Sequence, residues 1–276
     1  MDDERVEFLV TLPIDVWTTA TFTSAPGTRC VVVDPPHKVK AWRLATEMLA
    51  TFGCLCGGRL ELDSSIPEGK GLASSSADLV ATARALARTF DLTVPPDLIE
   101  DLIRDIEPTD GVMYDDVVVY EHRAVRLRTR LPALAGITIV GLDEGGMVDT
   151  VAANRVEKHF GRAQRREYTT LLAHLRDAVA AGDLRTVGRV ATRSAELNQA
   201  FRAKWTLDAL SKACADLDGL GVVAAHSGTV LGLLVADDDP DHAAKVAAAV
   251  EVCTGLTGDA TVRRSVDFRD SRVKPA

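Results

Sequence analysis

The chain has 276 residues, 46% of them hydrophobic, and a formal net charge of -8. That length can bury a substantial core as one large domain or two intimately packed ones, and two are expected. The acidic balance argues against a general nucleic-acid or anionic-membrane partner, so any phosphate is expected to be held locally. No apolar run approaches the roughly 20 residues that span a bilayer. The acidic start Met1-Asp2-Asp3-Glu4-Arg5 is unlike a signal peptide, so a cytoplasmic protein without a membrane partner is expected. Five cysteines, an odd number, include only one close pair, Cys54 and Cys56, whose spacing fits neither CxxC redox chemistry nor a zinc knuckle. Reduced, partly buried thiols are expected.

Residues 6–12 and 16–23 read as extended segments joined at a bend around Pro13 and Asp15, followed by a short strand over Cys30 to Val33. A helix is predicted from about His37 to Thr51, with Trp42, Ala45, Leu49 and Phe52 on one face. Leu60, Leu62 and Ile66 then alternate with Glu61 and Asp63 in a half-covered strand that delivers the chain into Ile66 to Asp78. Beyond that segment Leu79, Ala83, Leu86 and Phe90 recur at helical spacing. A second helix runs from Pro96 to Ile106 and is stopped by Pro108. A hairpin is predicted over 117–120 and 125–129, and a strand over 137–142. Asp143-Glu144-Gly145-Gly146 reads as a linker, and the domain boundary is placed there, giving domains of 1–145 and 146–276. Long helices follow over 151–181 and 184–201, separated by Gly182-Asp183, and a third over 207–217. Strands at 222–225 and 230–235, a helix capped by Asp239-Pro240 and a strand at 261–266 complete an α+β sandwich of ferredoxin-like type.

Two loops carry the chemistry. In Pro67-Glu68-Gly69-Lys70-Gly71-Leu72-Ala73-Ser74-Ser75-Ser76, the glycines allow a tight backbone close to a ligand, and the serines open a helix. Ser74 or Ser75 is expected as N-cap, with the free amides and the positive dipole end facing an anion. A Walker loop needs Ser or Thr after Gly-Lys, where Gly71 stands, and the dinucleotide pattern would end on Ser74 instead of glycine. A serine-rich helix cap is the plain alternative. The second loop, Glu107-Pro108-Thr109-Asp110-Gly111, holds two carboxylates around a proline and a glycine that permits a turn. Taken alone, Asp110 reads as a turn residue and Glu107 as a frayed helix end; beside the serine loop the preference reverses to a functional pair.

The pattern Pro-x-x-x-Gly-Leu-small-Ser-Ser resembles the phosphate loop of the GHMP kinases, and the chain looks most like the L-threonine kinases of cobalamin side-chain assembly. Their catalytic-side loop has the same order as Glu107 to Asp110, their late glycine motif resembles Gly221 to Leu233, and their early strand resembles Pro13-Ile14-Asp15 with Trp17-Thr18-Thr19. The resemblance implies a two-domain α+β fold, with a ribosomal-protein-S5-like α/β N-terminal domain and a ferredoxin-like C-terminal domain. It implies transfer of the ATP γ-phosphoryl group to a small hydroxy amino acid, threonine first, with homoserine, serine or a nonproteinogenic acid as alternatives. The backbone of Pro67, Gly69, Lys70, Gly71, Leu72, Ala73, Ser74, Ser75 and Ser76 would hold the phosphates. Ser75 and Glu107 would ligate Mg2+, and Asp110 would accept or orient the hydroxyl proton. Lys70 would touch a phosphate unless simply solvated. Asp15, Thr109, Asp110, His226, Ser227 and Gly228 would face the substrate, although His226 in its hairpin is as readily structural. A homodimer is left open.

Members usually carry an extra strand and a Pro-rich, Gly-Glu-bearing motif ahead of the Pro13 segment, and the residues before Pro13 are too few to contain it. The expectations are a truncated start, a rebuilt substrate site or lost activity. Two rivals remain. Ser75, Asp110 and His226 occur in α/β-hydrolase order around a small-residue elbow, though Pro67 to Ala73 intervene where the strand should run straight into the serine. A nucleotide-binding relative without phosphoryl transfer is the other.

Overall fold

The computed structural model describes residues 7–147 and 160–268. Positions 151–159 of the helix expected over 151–181 and the charged start lie outside them.

The first half opens with three strands, β1 (Leu9–Thr11), β2 (Thr18–Ala25) and β3 (Val31–Asp34), then α1 (Val39–Thr51), β4 (Gly57–Ser64), α2 (Ser74–Thr89) and α3 (Pro96–Ile103). β4 is the centre of a sheet ordered β2-β4-β3, antiparallel to β2 and parallel to β3. β1 instead pairs with β5 (Val117–Glu121), which pairs with β6 (Arg126–Leu131). The buried stripe of α1 is Ala41, Leu44, Ala45, Met48 and Leu49. Trp42, expected on that face, is 45% exposed. It lies over β3, with its indole N–H donating to the Val31 carbonyl at 3.1 Å, so a polar handle pulls the ring out of the core.

β7 (Ile137–Asp143) leads the second half, which continues with α4 (Arg162–Ala181), α5 (Leu184–Asn198), α6 (Leu207–Asp216), β8 (Gly221–Ala224), β9 (Val230–Ala236), α7 (His242–Thr257) and β10 (Thr261–Arg264). The order β10-β7-β9-β8 with antiparallel pairing throughout is the ferredoxin-like arrangement. β7, ahead of the expected 145/146 division, pairs with β9 and β10. Gly182 takes the left-handed C-cap of α4, and Asp183 caps α5 by accepting from the Thr186 amide at 3.0 Å. Pro240, expected in the first turn of α7, stands before it, since the helix starts at His242 with Asp241 as N-cap.

Strand alternation divides the core. Val118 and Tyr120 of β5 face the cluster shared with α1, α2 and α3, whereas Val117 and Val119 face Ile137, Val179, Val187 and Leu234. Val140, Leu142, Leu231, Leu233 and Val235 face α6 and α7. The halves are also stitched through Pro13 to Asp15. Ile14 bridges to Ser265, the Asp15 amide donates to the Arg264 carbonyl at 3.0 Å, and the Asp15 carboxylate accepts from the Arg264 amide at 2.8 Å.

Candidate active site

A cleft of about 1630 Å³ runs between the halves, lined among others by Trp17, Thr18, Gly71, Leu72, Ala73, Asp110 and His226. The N-terminus of α2 points into its wall. The helix begins at Ser74, but the cap position falls on Ala73, in the left-handed region at φ 60°, and no side chain caps the helix. The expected serine cap is therefore corrected. The first-turn amides stay available to a ligand because no serine hydroxyl folds back on them.

Each serine has a separate place. The Ser75 hydroxyl donates to Glu107 Oε1 at 2.5 Å. Ser76 is buried, and its hydroxyl accepts from the Asp110 amide at 3.2 Å, so it joins the helix to the acid loop. Ser74 starts the helix and is half-buried. The two loops singled out in the sequence thus meet at both acids. Gly111 serves this junction by closeness: a Cβ there would stand 2.6 Å from Val118 Cγ2 and 2.8 Å from Tyr120 Cδ2.

Glu107 is 6% exposed, and its Oε2 is bound by Lys40 of α1. Asp110 lies half-buried on the cleft wall. Burial first, then the Glu107 charge, raises its carboxyl from 3.8 to about 6. Thr109 faces inward. Its amide donates to the His122 carbonyl at 3.1 Å, and its buried hydroxyl has no hydrogen-bond partner among the described residues. Asp15, engaged with Arg264, is exposed and does not line the cleft.

The phosphate loop is clamped from the second half. Gly71, at φ +83°, approaches Gly228 so closely that a Cβ on Gly71 would stand 2.4 Å from the Gly228 Cα. The Thr229 amide donates to the Lys70 carbonyl at 3.1 Å. Lys70 Nζ is tied to Asp143 Oδ2 at 2.5 Å and to the Gly146 carbonyl at 2.7 Å. Asp143 also accepts from Thr229 Oγ1 at 2.5 Å. Burial pushes the Asp143 carboxyl up, but the Lys70 and Thr229 hydrogen bonds outweigh it, and its pKa falls. Ser227 lies in this turn, and His226 packs edge-on to His122 with centroids 4.9 Å apart. Pro67 and Gly69 form the outer limb of the loop, where Glu68 is held by Lys38 at 2.5 Å. Lys38 also meets Asp78 at 2.6 Å, and Thr18 donates to the same carboxylate at 3.1 Å. Burial draws Lys38 down, yet the Asp78 and Glu68 bonds outweigh it and leave its pKa raised.

Lys38, Lys40, Asp78 and Asp143 escaped the sequence reading because each acts through a partner distant in the chain. Ser75 Oγ and Glu107 Oε1 suit magnesium, which favours hard oxygens and takes one or two carboxylates beside phosphate. No cluster of three or more His, Cys, Asp or Glu fit for a metal occurs among the described residues, and that arrangement needs none. The hydrolase geometry is not formed. β4 ends at Ser64, well before α2, and the Ser75 hydroxyl is directed at Glu107.

An open helix N-terminus facing paired acids, in a cleft between an α/β half and a ferredoxin-like half, defines a phosphotransferase architecture, and residues 39–122 match the GHMP kinases N terminal domain. The chain carries a match to that family's N-terminal domain over this segment. It is similar to the L-threonine kinase of Citrobacter freundii, 25% identical over 237 residues that cover 83% of this chain and 79% of that protein. The L-threonine kinase of Salmonella typhimurium is 26% identical over 233 residues, covering 83% and 76%. Homoserine kinase from Cytophaga hutchinsonii shares the fold with a TM-score of 0.69 at 16% identity, over 97% of this chain and 96% of that one. No helix among the described residues is long and apolar enough to cross a membrane.

Proposed function

We propose that this GHMP-type phosphotransferase moves the γ-phosphoryl group of ATP to the side-chain hydroxyl of an amino acid, L-threonine first, yielding ADP and O-phospho-L-threonine. The observation that carries this reading is the uncapped start of α2 set against Glu107 and Asp110. The similarity to two L-threonine kinases supports threonine as acceptor. The likeness to homoserine kinase keeps L-homoserine as the second candidate.

In this reading the amides from Gly69 to Ser76 cradle the phosphates, and Ser75 and Glu107 hold magnesium, which when bound neutralises charge on the transferring group. Asp110 takes the hydroxyl proton as the substrate oxygen bonds to the γ-phosphorus and the bond to the ADP oxygen breaks. Its raised pKa suits a base that must be ionised near neutrality yet able to accept a proton. The test is ATP consumption with L-threonine, L-homoserine and L-serine, alongside Glu107→Gln. Turnover fastest with L-threonine and lowered at least tenfold in the variant is expected. Equal turnover without any acceptor, or an unaffected variant, would remove the proposal.

A further inference from the structure

Three lysines surround the phosphate loop, and their partners differ in kind. Lys38 is consumed by Asp78 and Glu68, and Lys70 by Asp143 and the Gly146 carbonyl. Lys40 alone of the three pairs with Glu107, the carboxylate assigned above to magnesium. The lysine side chain is 43% exposed and the glutamate side chain 5%. A lysine side chain that water can reach is thus satisfying a carboxylate that is almost wholly buried. Removing a buried carboxylate's partner is costly, so a cation must stay with Glu107 at all times.

We propose that Lys40 is the resident counter-ion of Glu107 and excludes free divalent cations, so that metal enters only on a nucleotide. This rests on the kinase reading of Ser75 and Glu107. The Lys40–Glu107 pair presents no net charge to an approaching dication, which must displace the ammonium or sit beside it against like-charge repulsion. Nucleotide phosphates change the balance by bringing enough negative charge for both cations, and the exposed, flexible stem of Lys40 lets its ammonium move from Glu107 toward them. Lys40 is a positioning residue here, acting on the metal through the carboxylate it neutralises.

The test uses Mn(II) as probe, with free ion followed by its paramagnetic resonance signal, in the full chain with and without ADP. Lys40→Gln keeps a hydrogen-bond donor for Glu107 but deletes the charge, and Lys40→Arg keeps the charge. Without ADP, Lys40→Gln is expected to bind Mn(II) at least tenfold more tightly than wild type, Lys40→Arg to match wild type, and Lys40→Gln/Glu107→Gln to lose the gain. With ADP, the wild-type chain is expected to bind Mn(II) readily. If ADP-dependent binding is seen but Lys40→Gln gains nothing without nucleotide, the Lys40 inference falls and the kinase reading stands. If wild type binds no Mn(II) even with ADP, both fall. Melting curves confirm that the variants are folded, and a Lys40→Met variant gives a second uncharged side chain for the comparison.

Discussion

Asp110 couples chemistry to stability. Its carboxyl titrates near 6 in the folded protein against 3.8 ordinarily, so the folded state retains a proton that the unfolded chain has released. The stability this contributes is complete below about pH 4 and is lost as pH rises through 6. The difference corresponds to at most about 3 kcal/mol. Asp110→Asn is therefore expected to melt higher than wild type at pH 7.5, to show no such gain at pH 4, and to lose about 100-fold or more in turnover. Thermal melts at the two pH values and a coupled rate assay check both halves. Ser75→Ala deletes one oxygen of the proposed metal pair and the donor to the buried Glu107 Oε1, so a rise of about tenfold or more in the magnesium needed for half-maximal rate is expected, together with a lower melting temperature. Ser75, Glu107 and Asp110 were singled out as candidates in the sequence because each lies in a short run of residues with local meaning. Lys40 was not, since a lysine on an amphipathic helix reads as solvated until Glu107 is brought to it.

At the level of elements, the junction of the phosphate loop with the β8–β9 turn is the tightest in the cleft. A Cβ on Gly228 would stand 1.7 Å from the Lys70 carbonyl oxygen, which neither backbone can yield without parting. Gly228→Ala is expected to raise the KM for ATP about tenfold or more and to lower the melting temperature by several degrees, both within the range of backbone clashes at packed sites. An unchanged KM would show that the clamp does not shape the nucleotide site. The helix α2 and its orientation toward the acid loop could be read from apolar periodicity and the glycine–serine run. Its cap could not. Serine is the favoured cap residue, but here Ser75 and Ser76 are drawn to Glu107 and Asp110, and the left-handed turn falls on Ala73. Trp42 was misplaced for a related reason, because periodicity ignores the one polar atom of an indole.

Across the whole molecule, the β8–β9 turn that meets the phosphate loop is held in place by buried polar ties within the second half. Lys204 is 5% exposed, its ammonium donates to the Gly228 carbonyl, and Glu144 lies 3.9 Å away. Burial lowers its pKa. Glu144 in turn accepts from the Thr206 amide and hydroxyl at 2.9 and 2.8 Å. Lys204→Met would leave the Gly228 carbonyl without this donor, a loss on the order of 1–3 kcal/mol. A lower melting temperature and a weaker affinity for ATP are expected together, by calorimetry. A fall in stability alone would confine Lys204 to a structural role. The ferredoxin-like class was legible from the order of helices and strands, but the membership of β7 in that sheet was not, because pairing partners are chosen by long-range burial on both faces of β7 and β9.

In the proposed reaction the start of α2 holds the phosphates of ATP for attack by an amino-acid hydroxyl. Phosphorus magnetic resonance of ATP, magnesium and L-threonine with the full chain observes that transfer itself. Loss of the γ-phosphate resonance is expected, matched by growth of ADP and a phosphate monoester of threonine, with neither change in Asp110→Asn. ATP left intact, or hydrolysed to inorganic phosphate with no ester formed from threonine or homoserine, would contradict it.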